Sequence, residues 1–183
     1  MRGMFDHLTA EQQRTLHERA QALSSVEDPA SSTDEDLISV AILELPPERY
    51  GVAIQQISDI EPLRDVTQIP GLDKHWRGVV NLRGSMYAVL DLRVYLGLSA
   101  PMDAPAKPKI VRVRAANMEV GLLVDAVEEI EKVALNALTR PPRDKGAGHG
   151  DAVRGVTPDL LTVLDLDQLL SDPRLIVGSE EGA

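Results

Sequence analysis

The sequence predicts an all-β protein built as two small five-strand barrels lying side by side, and three observations carry that prediction. One pattern of residues occurs twice along the chain. The apolar runs are short and are punctuated by Gly, Pro and Asp, as strands joined by tight turns are. Past the first 36 residues, no long helical periodicity is present to cover a parallel sheet.

The repetition appears in two separate places. Trp76 to Leu96, WRGVVNLRGSMYAVLDLRVYL, has Arg77-Gly78-Val79 and Val89-Leu90-Asp91-Leu92, which return as Arg154-Gly155-Val156 and Val163-Leu164-Asp165-Leu166. Gly51 to Ile60 aligns without a gap on Gly121 to Ile130, with the glycine and the apolar positions three, six and nine residues beyond it coinciding. Two matches in the same order point to two copies of one unit of about 70 residues. The second copy lacks the Asn81-Leu82-Arg83-Gly84 insert and has Thr157-Pro158-Asp159 instead, which marks that insert as the functional difference.

In chain order, residues 7–24 read as a helix capped by Thr9, with Leu8, Leu16, Ala20 and Leu23 along a narrow apolar stripe. So thin a face suits either a marginal surface helix or one that docks on a partner. Residues 24–36, SSVEDPASSTDED, read as a flexible acidic linker, making 1–36 an N-terminal extension. The folded domain is expected over 37–175. Its first unit, about 37–100, has strands near 37–45, 50–54, 60–66, 77–82 and 86–91. Its second, about 107–172, has strands near 109–114, 119–125, 129–134, 153–156 and 160–165, with exchange of strands between the units left open. Proline-rich Ser99–Lys109 connects them, Pro141–Asp151 is a polar hairpin tip, and 176–183 is a tail.

Composition narrows the function classes. Acidic residues outnumber basic ones 29 to 19, a net charge of −10, so a nucleic-acid or anionic-membrane surface is not expected as the main partner. Cysteine is absent, which removes disulfides and thiolate chemistry. No signal peptide or membrane span is legible, and a soluble, cytoplasmic protein is expected. The aromatic residues are Phe5, Tyr50, Trp76, Tyr87 and Tyr95, so the core is expected to be Val, Ile and Leu, with Trp76 among them.

The chemical motifs are few. Asp91 and Asp165 each end an apolar strand and precede a short helical run, where a carboxylate caps the free N–H groups of the first turn. An enzyme using Asp91, Asp125 or Asp165 would need two carboxylates brought into one pocket. His7, His17, His75 and His149 lack metal-ligand spacing, Gly146–Gly150 lacks the Lys-Ser or Lys-Thr of a phosphate loop, and Ser85 has no neighbouring base. No catalytic residue, metal or cofactor is therefore expected. Arg83, between Leu82 and Gly84 at a strand bend, is either paired with an acid such as Asp91 or is an exposed guanidinium that forks onto a partner's carboxylate or carbonyls.

Tyr50-Gly51-Val52, Ile57 to Ile60, Ile69-Pro70-Gly71, Arg77 to Gly84, Val89 to Arg93 and Gly121 to Val127 together resemble the CheW family of chemotaxis coupling proteins, over about residues 37–172. The resemblance implies two SH3-like barrels around a shared apolar seam. It also implies a non-enzymatic adaptor that joins the hairpin tips of methyl-accepting chemoreceptors to the regulatory domain of the histidine kinase CheA, with self-association in arrays left open. Carried over by position, the contact surface falls on Ile57, Gly78, Arg83 and Ile130, with Asn81 and Leu82 of the same insert. The kinase-facing surfaces fall on the outer barrel ends. The chain departs from the family at Ala88, where proline is common, at Trp76, and in the length of its 1–36 extension. That extension raises the alternative of a scaffold for a non-flagellar chemosensory output, with helix 7–24 recruiting another partner.

Overall fold

The computed structural model describes residues 36–99, 107–140 and 150–175. The expected helix 7–24, the linker up to residue 35, the centre of the inter-unit connection, most of the 141–151 tip and the tail 176–183 lie outside the described residues. All described residues fall in one compact unit that begins at Asp36.

Among the described residues, ten strands form two five-stranded sheets. They are β1 (Leu37–Leu45), β2 (Glu48–Ala53), β3 (Ile57–Pro62), β4 (Trp76–Leu82), β5 (Ser85–Asp91), β6 (Lys109–Ala115), β7 (Met118–Val124), β8 (Ala126–Ala134), β9 (Val153–Val156) and β10 (Thr162–Leu164). The first sheet runs β8-β1-β2-β10-β9 and the second β3-β6-β7-β5-β4. Numbered within each copy, both sheets have the order third, first, second, fifth, fourth. The first two strands of every sheet's own copy have changed places with those of the other copy. The β1–β2 hairpin completes the sheet of β8, β9 and β10, and β6–β7 completes that of β3, β4 and β5. The sheets therefore do not follow the halves of the sequence.

The register keeps the duplication visible. Gly51 of β2 faces Ile42 of β1 across an antiparallel pair and Val163 of β10 across a parallel one. Gly121 of β7 faces Arg112 of β6 and Val89 of β5 in the same way. A Cβ at Gly51 would stand 3.2 Å from Val40 Cγ2, and one at Gly121 would stand 2.6 Å from Ile110 Cγ2. The repeated glycine is thus where a strand must pass close to a β-branched neighbour. Isolated bridges Thr67↔Val79 and Thr139↔Val156 curl each sheet back on its far edge, so both are small barrels.

Alternation along the strands sends side chains to three cores. Val40, Ile42, Val133, Leu161 and Val163 pack within the first sheet, and Val80, Leu82, Val89 and Ile110 within the second. The largest core draws on both sheets, with Leu43, Leu45 and Val52 meeting Leu90, Val111, Val113 and Leu122, and it contains Trp76, at 8% exposure. Burial on both faces explains why β1 and β10 read as continuous apolar runs and not as alternating ones.

Two short helices follow β5 and β10, Leu92–Tyr95 and Leu166–Leu170, each capped as expected. Asp91 accepts from Val94 N at 3.1 Å and Asp165 from Gln168 N at 3.0 Å. Strand β3 begins and ends earlier than the sequence suggests, because a single 3-10 turn over Ile54–Gln56 brings the chain straight into it.

Candidate functional site

The β4–β5 hairpin turns in two residues. Leu82 pairs with Ser85, leaving Arg83 and Gly84 as the central pair with φ of 53° and 87°. This is the left-handed geometry whose twist suits a hairpin. An arginine there sacrifices about 1 kcal/mol relative to glycine, and Asn81 offsets part of it by accepting from Gly84 N through Oδ1 at 2.9 Å. Just below, Gly78 has φ of 134°, and a Cβ on it would lie 2.2 Å from the Thr67 carbonyl oxygen, so only glycine lets the Thr67 segment bridge β4.

Arg83 is both paired and exposed. Its NH2 lies 2.9 Å from Asp59 Oδ2 and its Nε 3.2 Å from Glu61 Oε1, while 71% of the side chain remains open to solvent. The expected acidic neighbour Asp91 is occupied as a helix cap, so the partner named from sequence is replaced by two carboxylates on β3. Asp59 and Glu61 lie two apart and therefore on one face of that strand. Glu61 is itself buried, at 8% exposure. The pairing continues through Arg112, 3.7 Å from Asp59 and 3.5 Å from Glu119, and ends on Arg114, 3.2 Å from Glu119. Arg112 NH1 also donates to the Tyr87 hydroxyl at 3.0 Å. A line of alternating charge thus runs from the hairpin tip to β7.

Beside it lies an apolar cleft of about 610 Å³, walled by Leu72, Trp76, Val79, Ala88, Met118 and Leu175, with Gly78 and Glu119 also at its lining. Apart from Leu175, every wall belongs to β4, β5, β7 or the loop before β4. The cleft therefore belongs mainly to the second barrel, closed on one side by Leu175 in the turn after the helix Leu166–Leu170.

The other expected contact residues separate into exposed and buried. Ile130 on β8 is 63% exposed, Asn81 is exposed, and Ile57 at the start of β3 is half-buried against the shared core. Leu82, at 2% exposure, belongs to the core of its barrel, and Gly78 is buried. These two shape the hairpin from beneath and present no side chain of their own at the surface. Ile57, Gly78, Asn81, Leu82 and Arg83 come together around the second barrel, whereas Ile130 sits on the first sheet, opposite Ala41. Sequence reasoning missed Asp59 and Glu61 as the holders of Arg83. The signal was their period-two spacing before Pro62, which a strand placed near 60–66 hid.

Asp125, one of the carboxylates considered for catalysis, is held by Arg93 at 2.6 Å, and Asp91 and Asp165 are occupied as caps. Among the described residues no cluster of His, Asp or Glu could hold a metal ion, and no helix is long and apolar enough to cross a membrane.

Comparison with known proteins gives the family. The family model described as CheW-like domain matches residues 39–174. The chain belongs to the CheW-like family. This CheW-like protein is 28% identical over 142 residues to the probable chemotaxis protein CheW of Rhizobium etli, covering 76% of this chain and 89% of that one. It is 28% identical over 126 residues to the chemotaxis protein CheW of Bacillus subtilis, covering 67% and 80%. Its fold is similar to that of the scaffolding protein TtCheW from Thermoanaerobacter tengcongensis, with a TM-score of 0.65 at 25% identity over 75% of this chain and 94% of that one. The CheW-like fold of two five-stranded β units and the class of chemotaxis scaffold apply to this chain.

Proposed function

We propose that this chain is a non-enzymatic cytoplasmic adaptor that couples chemoreceptor tips to the regulatory domain of a CheA-type histidine kinase. The reading is carried by Arg83. Its guanidinium is presented at a turn of left-handed backbone, 71% exposed, with an apolar cleft lined by Gly78 of the same hairpin. A receptor tip is a helical hairpin. Such a ligand needs an apolar groove for its buried side chains and a polar group at the groove's lip for one of its carboxylates. Asp59 and Glu61 hold the guanidinium in place until a partner carboxylate competes for it. Contacts of this kind are individually small and gain strength by repetition in an assembled array, in which self-association of the chain has a place. Ile130, on the other barrel, extends the surface; the outer barrel ends are left for the kinase.

The test is co-sedimentation of receptor fragments and kinase with Arg83→Glu and Arg83→Gln. The first sets a third carboxylate against Asp59 and Glu61, and the second removes the charge and the guanidinium fork without adding a negative charge. Both variants should lose receptor binding while circular dichroism stays native. Normal co-sedimentation of both would rule out the Arg83 assignment.

A second reading, a scaffold for a non-flagellar output, draws on the family match starting at residue 39, after the helix-and-linker pattern of 1–36. Deleting residues 1–36 separates the two. Altered partner choice with intact kinase coupling favours the second, and unchanged partner choice removes it.

A further inference from the structure

The two copies carry a matched pair of inter-barrel ties, and one of them stands at the cleft. Arg93 and Asp167 occupy the same place in their copies, two residues after the capping Asp91 and Asp165. Each reaches the tip of the hairpin that belongs to the other barrel. Arg93 NH1 donates to the Pro46 carbonyl, between β1 and β2, at 2.9 Å. Asp167 Oδ1 accepts from Ala116 N, between β6 and β7, at 2.8 Å. Each also holds a residue where the chain crosses from one sheet to the other. Arg93 pairs with Asp125, between β7 and β8, and Asp167 Oδ2 accepts from Gln56 Nε2, just before β3, at 3.0 Å.

The ties differ in polarity and in burial. Arg93 has a side chain only 10% exposed and a third bond, to Ser99 O at 2.9 Å, whereas Asp167 is exposed. The Arg93 side is therefore fixed, and the Asp167 side is the one that can yield. The cleft is on the Asp167 side. Met118, Glu119 and Val120 of its lining directly follow the Ala116-Asn117 turn, and Leu175 follows the helix that carries Asp167. That turn is strained as well, since Ala116 and Asn117 have φ of 48° and 59°, a conformation that glycine takes freely and alanine does not. The β6–β7 ladder closes the turn through Ala115 and Met118, and the Asp167 carboxylate accepts the Ala116 N–H from outside it. Gln56, the other partner, is the neighbour of Ile57.

We propose that Asp167 is a positioning residue that sets the shape of the docking cleft without lining it, by clamping the Ala116-Asn117 turn to the segment before Ile57. The proposal rests on the reading of the cleft as the receptor site, but its mechanical part can be tested alone. Released from Asp167, the Ala116-Asn117 turn relaxes, the Met118–Val120 wall moves away from Leu175, and an ordered groove becomes a loose one.

Trp76 lines the cleft and is the chain's single tryptophan, so its fluorescence reports on the site directly. In the full-length protein, Asp167→Ala should raise acrylamide quenching of Trp76 by roughly twofold, speed amide exchange at Met118–Val120, and weaken receptor-fragment binding by roughly three- to tenfold. Asp167→Asn keeps an acceptor oxygen but not the charge; it should fall between, and it carries the test if the alanine variant does not fold. Asp159→Asn, an exposed carboxylate in another turn, should match the wild type. If quenching and exchange in both Asp167 variants equal those of the wild type, the clamp is refuted. If both change as expected while wild-type protein binds no receptor fragment, the clamp stands and the coupling reading falls.

Discussion

Replacing Arg93 by methionine should be among the most damaging single changes to the folded domain. The side chain is 10% exposed and its guanidinium meets Asp125 at 2.6 Å and the carbonyls of Pro46 and Ser99 at 2.9 Å each. Methionine fills much of the volume, so packing loss is small. What remains is an Asp125 carboxylate, 17% exposed, with its counter-charge removed, together with two carbonyls that have lost their donor. Removing one partner of a buried pair costs about 3–5 kcal/mol. For a domain of this size that is a large share of a total of roughly 5–15 kcal/mol. Since the tie spans both barrels, the loss should appear in one cooperative transition. Urea unfolding followed by Trp76 fluorescence measures it as a lower midpoint at unchanged slope. The double variant Arg93→Met, Asp125→Leu removes both charges and should recover the part of the loss that the unpaired Asp125 carboxylate causes, while the Pro46 and Ser99 carbonyls stay without their donor. A loss under about 1 kcal/mol in the single variant, or no recovery in the double, would refute the view that Arg93 holds the crossing.

Two other places in the fold give measurable outcomes. Gly121→Ala puts a Cβ 2.6 Å from Ile110 Cγ2, inside a buried β-branched side chain, and should cost about 1–3 kcal/mol. Gly51→Ala, where the nearest atom is at 3.2 Å, should cost clearly less, and equal losses in urea titrations of the two would contradict the close-approach account. Asp172 gives an acid limb to stability: burial pushes its carboxyl up, but hydrogen bonds from Arg174 and the Tyr95 hydroxyl outweigh that and hold it at about 2, below the ordinary 3.8. A carboxyl lowered in the folded state stabilises above its ordinary value, and that contribution is lost as pH falls from about 4 towards 2. The amount is about 1–2 kcal/mol once screening at the partly exposed Arg174 is allowed for. Urea midpoints against pH should therefore fall less steeply between pH 4 and 2 for Asp172→Asn than for the wild type.

Much of this could be read from the residues, because the relevant physics is local. Period-two alternation, Gly and Pro punctuation and the capping positions of Asp91 and Asp165 depend on neighbours a few residues away, so strands, turns and short helices were legible close to where they lie. The duplication was legible too, since Gly51 and Gly121 answer the same steric demand in both copies. Arg83 could be picked out because an arginine before a glycine at a bend leaves few places for its side chain to go.

Which strands share a sheet is decided by contacts between residues far apart in sequence, and no local pattern distinguishes a hairpin that stays with its own copy from one that crosses to the other. The exchange of β1–β2 for β6–β7 puts Met118, Glu119 and Val120 into the cleft wall, and closure of the sheet between its β3 and β4 edges puts Asp59 and Glu61 under Arg83. Sequence alone determined that the chain makes two copies of a small barrel and offers one guanidinium at a turn. Only the tertiary structure decided what that guanidinium rests on and which residues wall the space beside it, because closure of the barrel sets β3 against the β4–β5 hairpin and the exchange sets β7 beside β5.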